Sequence, residues 1–214
     1  MRLISSWSGG KDSCYALMLA LAQGNTLHAL LNMMNENGEV SRSHGLPLSL
    51  LQQQAKALAV SLLGVPATWN AYEESYIKAL GELKITHNAG GVVFGDIDIE
   101  SHRAWEEKVC NANHLKALLP LWQQDRKELV YAMIDSGIKA IIVSCNTHLG
   151  ETFLGREITR ELIVELEQKG VDVCGENGEY HTAVTYCPLF LEPLKVPSYT
   201  KKTYKDYCFI NWNI

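Results

Sequence analysis

The segment at residues 8–13, Ser-Gly-Gly-Lys-Asp-Ser, lies between a short apolar run and a long helical pattern. Residues 3–7 predict a buried strand, and the apolar positions across residues 15–21 predict a helix that this segment opens. The two glycines let successive backbone N-H groups turn towards an anion at the positive end of that helix. Lys11 can offset phosphate charge and Asp12 can hold Mg²⁺. The segment therefore predicts an α/β fold that binds a polyphosphate.

The spacing of this segment is not that of a Walker A loop, which places four residues between its first Gly and the Gly-Lys pair. It resembles instead the PP-loop of the N-type ATP pyrophosphatases. That resemblance implies cleavage of ATP between the α and β phosphates, with the pyrophosphate held by the loop. The alternative is a capped glycine turn of the kind found in many α/β proteins.

Composition limits the classes of protein that the chain can belong to. At 214 residues, with 47% hydrophobic and 20% charged residues, the chain predicts one domain with a small appendage. A net charge of −5 disfavours a nucleic-acid partner, and the cluster of Lys201, Lys202 and Lys205 is interpreted as a solvated terminal segment. The 6 cysteines form no C-x-x-C pair and are expected to be reduced. No apolar run is long enough for a membrane span, and we expect a cytoplasmic protein without a signal peptide.

Strands and helices alternate along most of the chain. Patterns predict strands at residues 27–34, 65–69, 92–94, 140–144 and 171–174, and helices at residues 46–63, 73–85, 101–113, 125–136 and 156–169. This alternation predicts a doubly wound, mostly parallel sheet of Rossmann-like type. Ligands of such sheets bind beyond the carboxyl ends of the strands, which places four segments on one edge: the PP-loop, residues 33–37, Gly95-Asp96 and the region of Asn146. We divide the chain into an ATP-binding domain at residues 1–146 and a C-terminal subdomain at residues 147–214.

A second motif, Cys-Gly-Glu-Asn-Gly-Glu-Tyr-His-Thr, occupies residues 174–182. Glu176 and Glu179 can bind an ammonia-like group, ligate Mg²⁺ or accept a proton from an attacking amine. A polar surface turn is the alternative.

Together, the PP-loop, Gly-Asp-Ile at residues 95–97, Leu-Pro-Leu-Trp at residues 119–122 and the second motif resemble the diphthine-ammonia ligase family, including its short prokaryotic members. The likeness covers nearly the whole chain and implies the nucleotide-binding domain of the HUP type. Asn177 and His181 stand where eukaryotic-type members usually have Gly and Glu. The resemblance implies ATP-dependent amidation, in which a carboxylate is adenylated, pyrophosphate leaves and ammonia displaces AMP.

The resemblance and the local chemistry give a set of candidate residues. The ATP site is assigned to Ser8, Gly9, Gly10, Lys11, Asp12, Ser13, Met33, His44, Gly95 and Asp96, with Asp12 also the ligand of Mg²⁺. The acceptor side is assigned to Glu176, Asn177, Gly178, Glu179, His181 and Thr182, and catalysis to Lys11, Asp12, Glu176 and Glu179. His44 can equally be a solvated loop histidine, and Asp96 a helix cap.

The expected partners are ATP, ammonia and an unidentified carboxylate, carried by a small molecule or by a protein, and a homodimer is possible. Two other functions stay open at this point. One is a tRNA-modifying PP-loop enzyme, although such enzymes generally carry paired cysteines or a basic appendage. The other is a sensor that binds ATP or AMP without turnover.

Overall fold

The computed structural model describes residues 1–213, and its N-terminal half is built on a parallel sheet. Its five strands are β1 (Arg2–Ser6), β2 (Thr26–Met34), β3 (Ser61–Pro66), β4 (Gly91–Val93) and β5 (Lys116–Leu118), in the order β3-β2-β1-β4-β5. All four neighbouring pairs in this sheet are parallel. From β1 the chain first adds β2 and β3 on one side of the sheet and then β4 and β5 on the other side. The segment after β1 therefore lies at the point where this change of side occurs, which is where ligands of such sheets bind.

Helices cover both faces of this sheet. They are α1 (Lys11–Ala22), α2 (Leu48–Ala57), α3 (Tyr72–His87) and α4 (Glu100–Asn111). In β1, Leu3 packs with α1 and α2 in one buried cluster, whereas Ile4 packs with α3 and α4 in the other. This alternation follows from the two-residue period of a strand, and it leaves β1 buried on both faces.

The C-terminal half adds a second sheet that is antiparallel. It contains β6 (Lys139–Asn146), β7 (Tyr180–Tyr186), β8 (Tyr199–Tyr204) and β9 (Tyr207–Trp212), in the order β7-β6-β9-β8. Helices α5 (Arg126–Asp135) and α6 (Arg160–Gln168) and a short 3₁₀ helix (Glu151–Phe153) accompany it. The predicted fold class, a Rossmann-like α/β domain with a smaller C-terminal part, is confirmed. Within residues 1–213, no helix combines the length and the apolar character that a membrane span requires.

The prediction that residues 140–144 belong to the parallel sheet was wrong. They lie in β6, which pairs antiparallel with β7 and β9, so Asn146 does not share the edge formed by the other three segments. A continuous apolar run has the same appearance in either sheet, since period alone does not carry strand direction. The division of the chain at residue 146 stays a prediction; β6 precedes that boundary and pairs with strands that follow it.

Two further element predictions were corrected. The helix predicted over residues 46–63 ends at Ala57, and residues 61–66 form β3; the break lies at Ala59, whose φ of 55° is incompatible with a continuing α-helix. The strand predicted over residues 171–174 is a turn, in which the Asp172 carboxylate accepts a hydrogen bond from the backbone N-H of Cys174. Asp side chains favour such turns over ladders because they hydrogen-bond nearby backbone.

Candidate active site at the PP-loop

A cavity of about 360 Å³ opens where the parallel sheet meets β7. Its walls come from the loop after β1, the end of β2, the segment after β4 and the second motif. Three of the four segments that were predicted to share an edge therefore converge here. The second motif arrives from the other sheet, through β7, rather than from the parallel one.

The PP-loop is held in shape by its own serines. The Ser8 hydroxyl accepts a hydrogen bond from the Gly10 backbone N-H at 3.2 Å and lies 3.0 Å from the Ser13 hydroxyl. Gly9 has a φ of 86°, and a β-carbon there would come within 2.5 Å of the Leu46 side chain. Only glycine satisfies both the left-handed backbone and the tight packing at this position.

Gln54, in the middle of α2, holds the PP-loop in place through hydrogen bonds of its buried side chain. Its side-chain amide donates hydrogen bonds to the carbonyl oxygens of Gly9, at 3.0 Å, and Val184, at 2.9 Å, and it accepts one from the Trp7 indole at 2.8 Å. Gln54 is completely buried. Sequence reasoning missed this residue; the available signal was a glutamine on the otherwise apolar buried face of a predicted helix.

Strand β7 docks directly on the PP-loop. The Thr182 hydroxyl accepts a hydrogen bond from the Lys11 backbone N-H at 3.1 Å, and the Val184 N-H donates to the Gly9 carbonyl at 2.9 Å. These bonds join residues that are far apart in the chain. They bring the second motif to the first turn of α1.

Lys11 and Asp12, the first two residues of α1, form a partly buried ion pair. The Lys11 ammonium donates hydrogen bonds to both carboxylate oxygens of Asp12, each at 2.9 Å, and a third to the Cys174 carbonyl oxygen at 2.5 Å. Burial by itself lowers the pKa of Lys11, but the negative charge of Asp12 and of further neighbours outweighs burial and holds that pKa above its usual range. Lys11 is therefore charged when it faces a phosphate.

The two glutamates of the second motif have different surroundings. Glu176 lines the cavity, where burial and then the negative charge of Asp12 raise the pKa of its carboxyl to about 8. Glu179 does not line it: its carboxylate accepts hydrogen bonds from the backbone N-H groups of Asp172 and Asn177. Asp172 in turn is paired with the Arg126 guanidinium, which also binds Asp98. Glu176 thus faces the cavity, whereas Glu179 braces the turn that carries it.

His44 and His181 form a tilted pair of imidazoles, with ring centroids 4.8 Å apart. His44 Nδ1 lies 2.8 Å from the Thr182 carbonyl oxygen, which can only accept, so Nδ1 carries the hydrogen and Nε2 keeps its lone pair. Burial is the main cause that lowers the pKa of His44 to about 4 and that of His181 to about 3. Both rings are neutral at pH 7.

The far end of the cavity lies at the ends of β2 and β4. Met33 and Gly95 line it, and a β-carbon on Gly95 would come within 2.7 Å of the Ser13 backbone nitrogen, so glycine allows this close approach. Asp96 also lines the cavity and pairs with His102 at 2.7 Å. It does not act there as a helix cap; Ile99 occupies the position before α4.

Further residues line this end that sequence reasoning did not single out: Asn32, Arg42, Trp69, Tyr72, Tyr76 and His102. Asn32 is buried, and its Oδ1 has no hydrogen-bond partner within the described part of the chain. A polar residue among the apolar positions of a buried strand was the signal for Asn32. Tyr72 and Tyr76 gave no signal, because their spacing is that of one face of α3, and Trp69 is an exposed residue before that helix.

The donor set around Asp12 fits a magnesium ion that is also bound by phosphate oxygens. Mg²⁺ in nucleotide enzymes is usually held by one or two carboxylates together with substrate phosphates. Asp12 and Glu176 both line the cavity, and the raised pKa of Glu176 reflects, after burial, a negative charge that a cation would compensate. Within residues 1–213, no group of three or more His, Cys, Asp or Glu side chains is arranged to hold a metal ion.

The structure gathers most of the predicted residues into one cavity. Its lining includes Ser8, Lys11, Asp12, Ser13, Met33, His44, Gly95, Asp96, Glu176, Gly178, His181 and Thr182. Gly9, Gly10, Asn177 and Glu179 are absent from that lining and act through backbone shape or hydrogen bonds within the loops. The roles assigned to all these residues stay proposals.

The fold and the loop together define a Rossmann-like α/β protein with a glycine-containing loop between its first strand and first helix. Two family models match nearly the whole chain: the diphthamide synthase N-terminal domain at residues 1–117 and the diphthamide synthase C-terminal domain at residues 125–213. The chain belongs to the diphthamide synthase family.

Curated relatives from vertebrates are similar along most of their length. The chain is 31% identical to the diphthine-ammonia ligase of Mus musculus over 227 residues, covering 92% of this chain and 84% of the mouse protein. The Homo sapiens protein is 32% identical, again covering 92% of this chain and 84% of the human protein. The Danio rerio protein is 27% identical, covering 98% of this chain and 91% of the zebrafish protein. A solved structure from Methanocaldococcus jannaschii, described as a "predicted subunit of tRNA methyltransferase", has a TM-score of 0.45 at 14% identity over 88% of this chain and 98% of its own. That likeness is too weak to inform function.

Proposed function

We propose that this protein is an ATP-dependent carboxylate-ammonia ligase of the diphthine-ammonia ligase type. A carboxylate oxygen of the acceptor attacks the α-phosphorus of ATP, and the bond between the α and β phosphates breaks to release pyrophosphate. Ammonia then attacks the acyl carbon of the acyl-adenylate. The bond from that carbon to the AMP oxygen breaks, and the proton lost by the nitrogen passes to a base.

The side chains divide this work between two loops. The backbone N-H groups of the PP-loop, together with Lys11, would hold the β and γ phosphates and stabilise the charge that develops on pyrophosphate. Asp12 would hold the Mg²⁺ that neutralises these phosphates. The ends of β2 and β4, with Met33, Asn32, Gly95 and Asp96, would receive the adenosine.

Glu176 would serve the ammonia half of the reaction. A carboxylate with a pKa near the working pH is a suitable proton acceptor for an attacking amine, and the pKa of Glu176 is about 8. His44 and His181 are neutral neighbours on the same side of the cavity. Glu179 would position Glu176 rather than touch the reacting atoms.

The observation that carries this proposal is the hydrogen bond between Lys11 and Thr182, which joins the PP-loop to the second motif. A PP-loop alone supports binding of ATP. Contact with a motif that supplies Glu176 and His181, next to His44 from the loop before α2, supports a second chemical step in the same cavity. The family membership supports the same conclusion, because its curated relatives are diphthine-ammonia ligases.

The test is incubation of the protein with ATP, Mg²⁺, isotopically labelled ammonium and a panel of carboxylic acids and candidate protein acceptors. We expect AMP and pyrophosphate in equal amounts and labelled nitrogen in the product. Release of ADP and orthophosphate would contradict the proposed bond cleavage. Lys11→Ala and Asp12→Ala should abolish turnover, whereas Lys56→Ala, an exposed lysine of α2, should leave it unchanged.

The same assay separates the two other candidates. A tRNA-modifying enzyme would form AMP and pyrophosphate only with RNA, and a sensor would bind ATP without forming either product. A carboxylate acceptor, a homodimer and a cytoplasmic location stay predictions.

A further inference from the structure

A second cavity, of about 1000 Å³, lies beside the first, and most of its lining residues lie outside the functional site described above. Its walls come from the loop between β2 and α2 and from strands β6 and β9 of the second sheet. Val143, Phe209 and Trp212 make one side largely apolar, and Glu39 and Arg42 bring charges of both signs. The cavity is thus an amphiphilic space between the two halves of the molecule.

Its size is that of a site for a large ligand. Sites for small molecules and cofactors run from about 300 to 1,000 Å³, whereas one water-sized molecule such as ammonia needs about 30 Å³. The phosphates of ATP have their own site at the PP-loop. Of the three substrates in the proposed reaction, only the acceptor is left to occupy a space of this size.

The two cavities abut at four shared residues, Arg42, Ser43, His44 and His181. The ring of His44 lies directly on the PP-loop: a β-carbon on Gly10 would come within 2.4 Å of His44 Cε1. The second cavity therefore ends within one side chain of the loop that would hold the phosphates. A group that reaches past the imidazole pair arrives next to ATP.

Arg42 gives this junction a positive charge. Its guanidinium lies over the ring of Trp69, 4.5 Å from the centroid, and donates one hydrogen bond to the Ala67 carbonyl. Its Nε is shielded from solvent and has no partner among residues 1–213. A guanidinium with donors to spare is the side chain best suited to a carboxylate. The neutral imidazoles beside it add no competing charge.

We infer that the second cavity is the acceptor site, holding a carboxylic acid on an extended amphiphilic arm whose carboxylate passes Arg42 and the pair of His44 and His181 to reach the α-phosphate. The inference rests on the proposed function and adds to it the route by which the acceptor reaches ATP. The arm belongs either to a free molecule or to a side chain of a protein. The apolar side of the cavity accommodates the arm in both cases.

A tethered acid tests this route without knowledge of the natural acceptor. Ser144 lines the second cavity, and in the sheet it stands between His181 on β7 and Phe209 on β9. Ser144→Cys would be alkylated with a series of ω-bromoalkanoic acids, from bromoacetic to bromohexanoic acid. Ser43→Cys, at the junction, serves as a second attachment point.

Ser61→Cys is the matched control, since Ser61 is exposed at the start of β3 and lines neither cavity. The unsubstituted protein, whose six cysteines are buried, reports background alkylation. Each labelled variant would be checked for folding by circular dichroism and for single labelling by mass spectrometry. ATP, Mg²⁺ and isotopically labelled ammonium are then added, and the tethered acid is examined for conversion to the amide.

We expect arms of suitable length at Ser144→Cys or Ser43→Cys to become amides about tenfold or more faster than the same arms at Ser61→Cys, because attachment raises the local concentration of the reacting group. Equal or absent conversion at all three positions, in a protein that releases AMP and pyrophosphate with free acids, would overturn the assigned route and leave the proposed function intact. Absence of AMP with both free and tethered acids would contradict the proposed function and this inference with it. Among free acceptors, conversion of small acids but not of protein acceptors would identify the source of the arm.

Discussion

The backbone N-H of Lys11 donates a hydrogen bond to the hydroxyl of Thr182, 171 residues further along the chain, at 3.1 Å. Lys11 begins α1 beside the parallel sheet, and Thr182 lies in β7 of the antiparallel one. Each residue belongs to a motif with its own chemistry. The bond makes the phosphate loop and the acidic motif parts of one site.

Loss of this bond should weaken both stability and ATP binding. Thr182→Val keeps the shape of the side chain but leaves the Lys11 N-H buried without a partner, which costs about 1 to 3 kcal/mol of unfolding free energy. Thr182→Ser keeps the hydroxyl and should lose much less. Urea denaturation and titration calorimetry with ATP measure the two effects, and equal values for the Val and Ser variants would contradict a role for the hydroxyl.

Gln54→Leu should destabilise the protein strongly and distort the PP-loop. It leaves the buried Trp7 indole without its partner and removes one hydrogen bond from each of the Gly9 and Val184 carbonyls, of which the Gly9 carbonyl keeps its bond from the Val184 N-H. An orphaned buried donor costs about 1 to 3 kcal/mol and each further lost hydrogen bond about 0.5 to 1.5 kcal/mol, so we expect a loss of about 2 kcal/mol or more. The control is Gln52→Leu, an exposed position of the same helix, which should change stability little. Similar denaturation midpoints for the two variants would show that Gln54 does not anchor the loop.

Glu176→Gln and Glu179→Gln should fail in different ways. Glu176 lines the cavity, so its variant should bind ATP normally but form amide about 100-fold more slowly or worse, as expected for loss of a proton acceptor. Glu179 holds the turn through the N-H groups of Asp172 and Asn177, so its variant should mainly lower the melting temperature. Kinetics of AMP and amide formation, together with thermal unfolding, separate the two cases. Identical profiles would remove the distinction drawn between these residues.

Glu106 should make the protein less stable as pH rises. Burial, followed by interaction with Asp96, raises the pKa of this carboxyl to about 11, from an ordinary value of 4.5. The folded state therefore keeps a proton that the unfolded state releases above pH 4.5. Between these two pKa values the unfolding free energy should fall by up to about 1.4 kcal/mol for each pH unit.

The variant Glu106→Gln removes this dependence, because an amide stays neutral in both states and can still donate to Asp96. It should be more stable than the original chain at pH 8, and the difference should grow with pH. Glu107→Gln, exposed on the same helix, is the control. Parallel curves of unfolding free energy against pH for Glu106→Gln and the original chain would show that Glu106 is not protonated in the fold.

Local patterns predicted the elements near the PP-loop well. Apolar runs and glycine turns near residues 3–34 and 92–96 correspond to β1, α1, β2 and β4, because burial on both faces leaves a clear sequence signature. They failed at Ala59, where a left-handed residue ends α2 and a half-buried edge strand follows. Leu62 and Leu63 fit the apolar pattern of a buried helix face and that of a strand equally well.

The sequence identified the candidate residues by their chemical type, but it did not predict how they are arranged in space. Residue chemistry and spacing identified the PP-loop and Glu176, since few residue types serve a phosphate or a proton acceptor. The different surroundings of Glu176 and Glu179 were not foreseeable, because they depend on Asp172 and Arg126. Gln54 and Arg42 were missed because each acquires its role only through residues that are distant in sequence.

By itself, the sequence determined that this chain forms an α/β fold with a PP-loop and an acidic motif, since hydrophobic period and turn chemistry are properties of neighbouring residues. Only the tertiary structure decided that β6 leaves the parallel sheet and that β7 sets Thr182 on the PP-loop. It also decided that a second cavity adjoins the first at His44 and His181. Strand direction, docking and cavities arise from contacts between distant segments, and such contacts leave no period in the sequence.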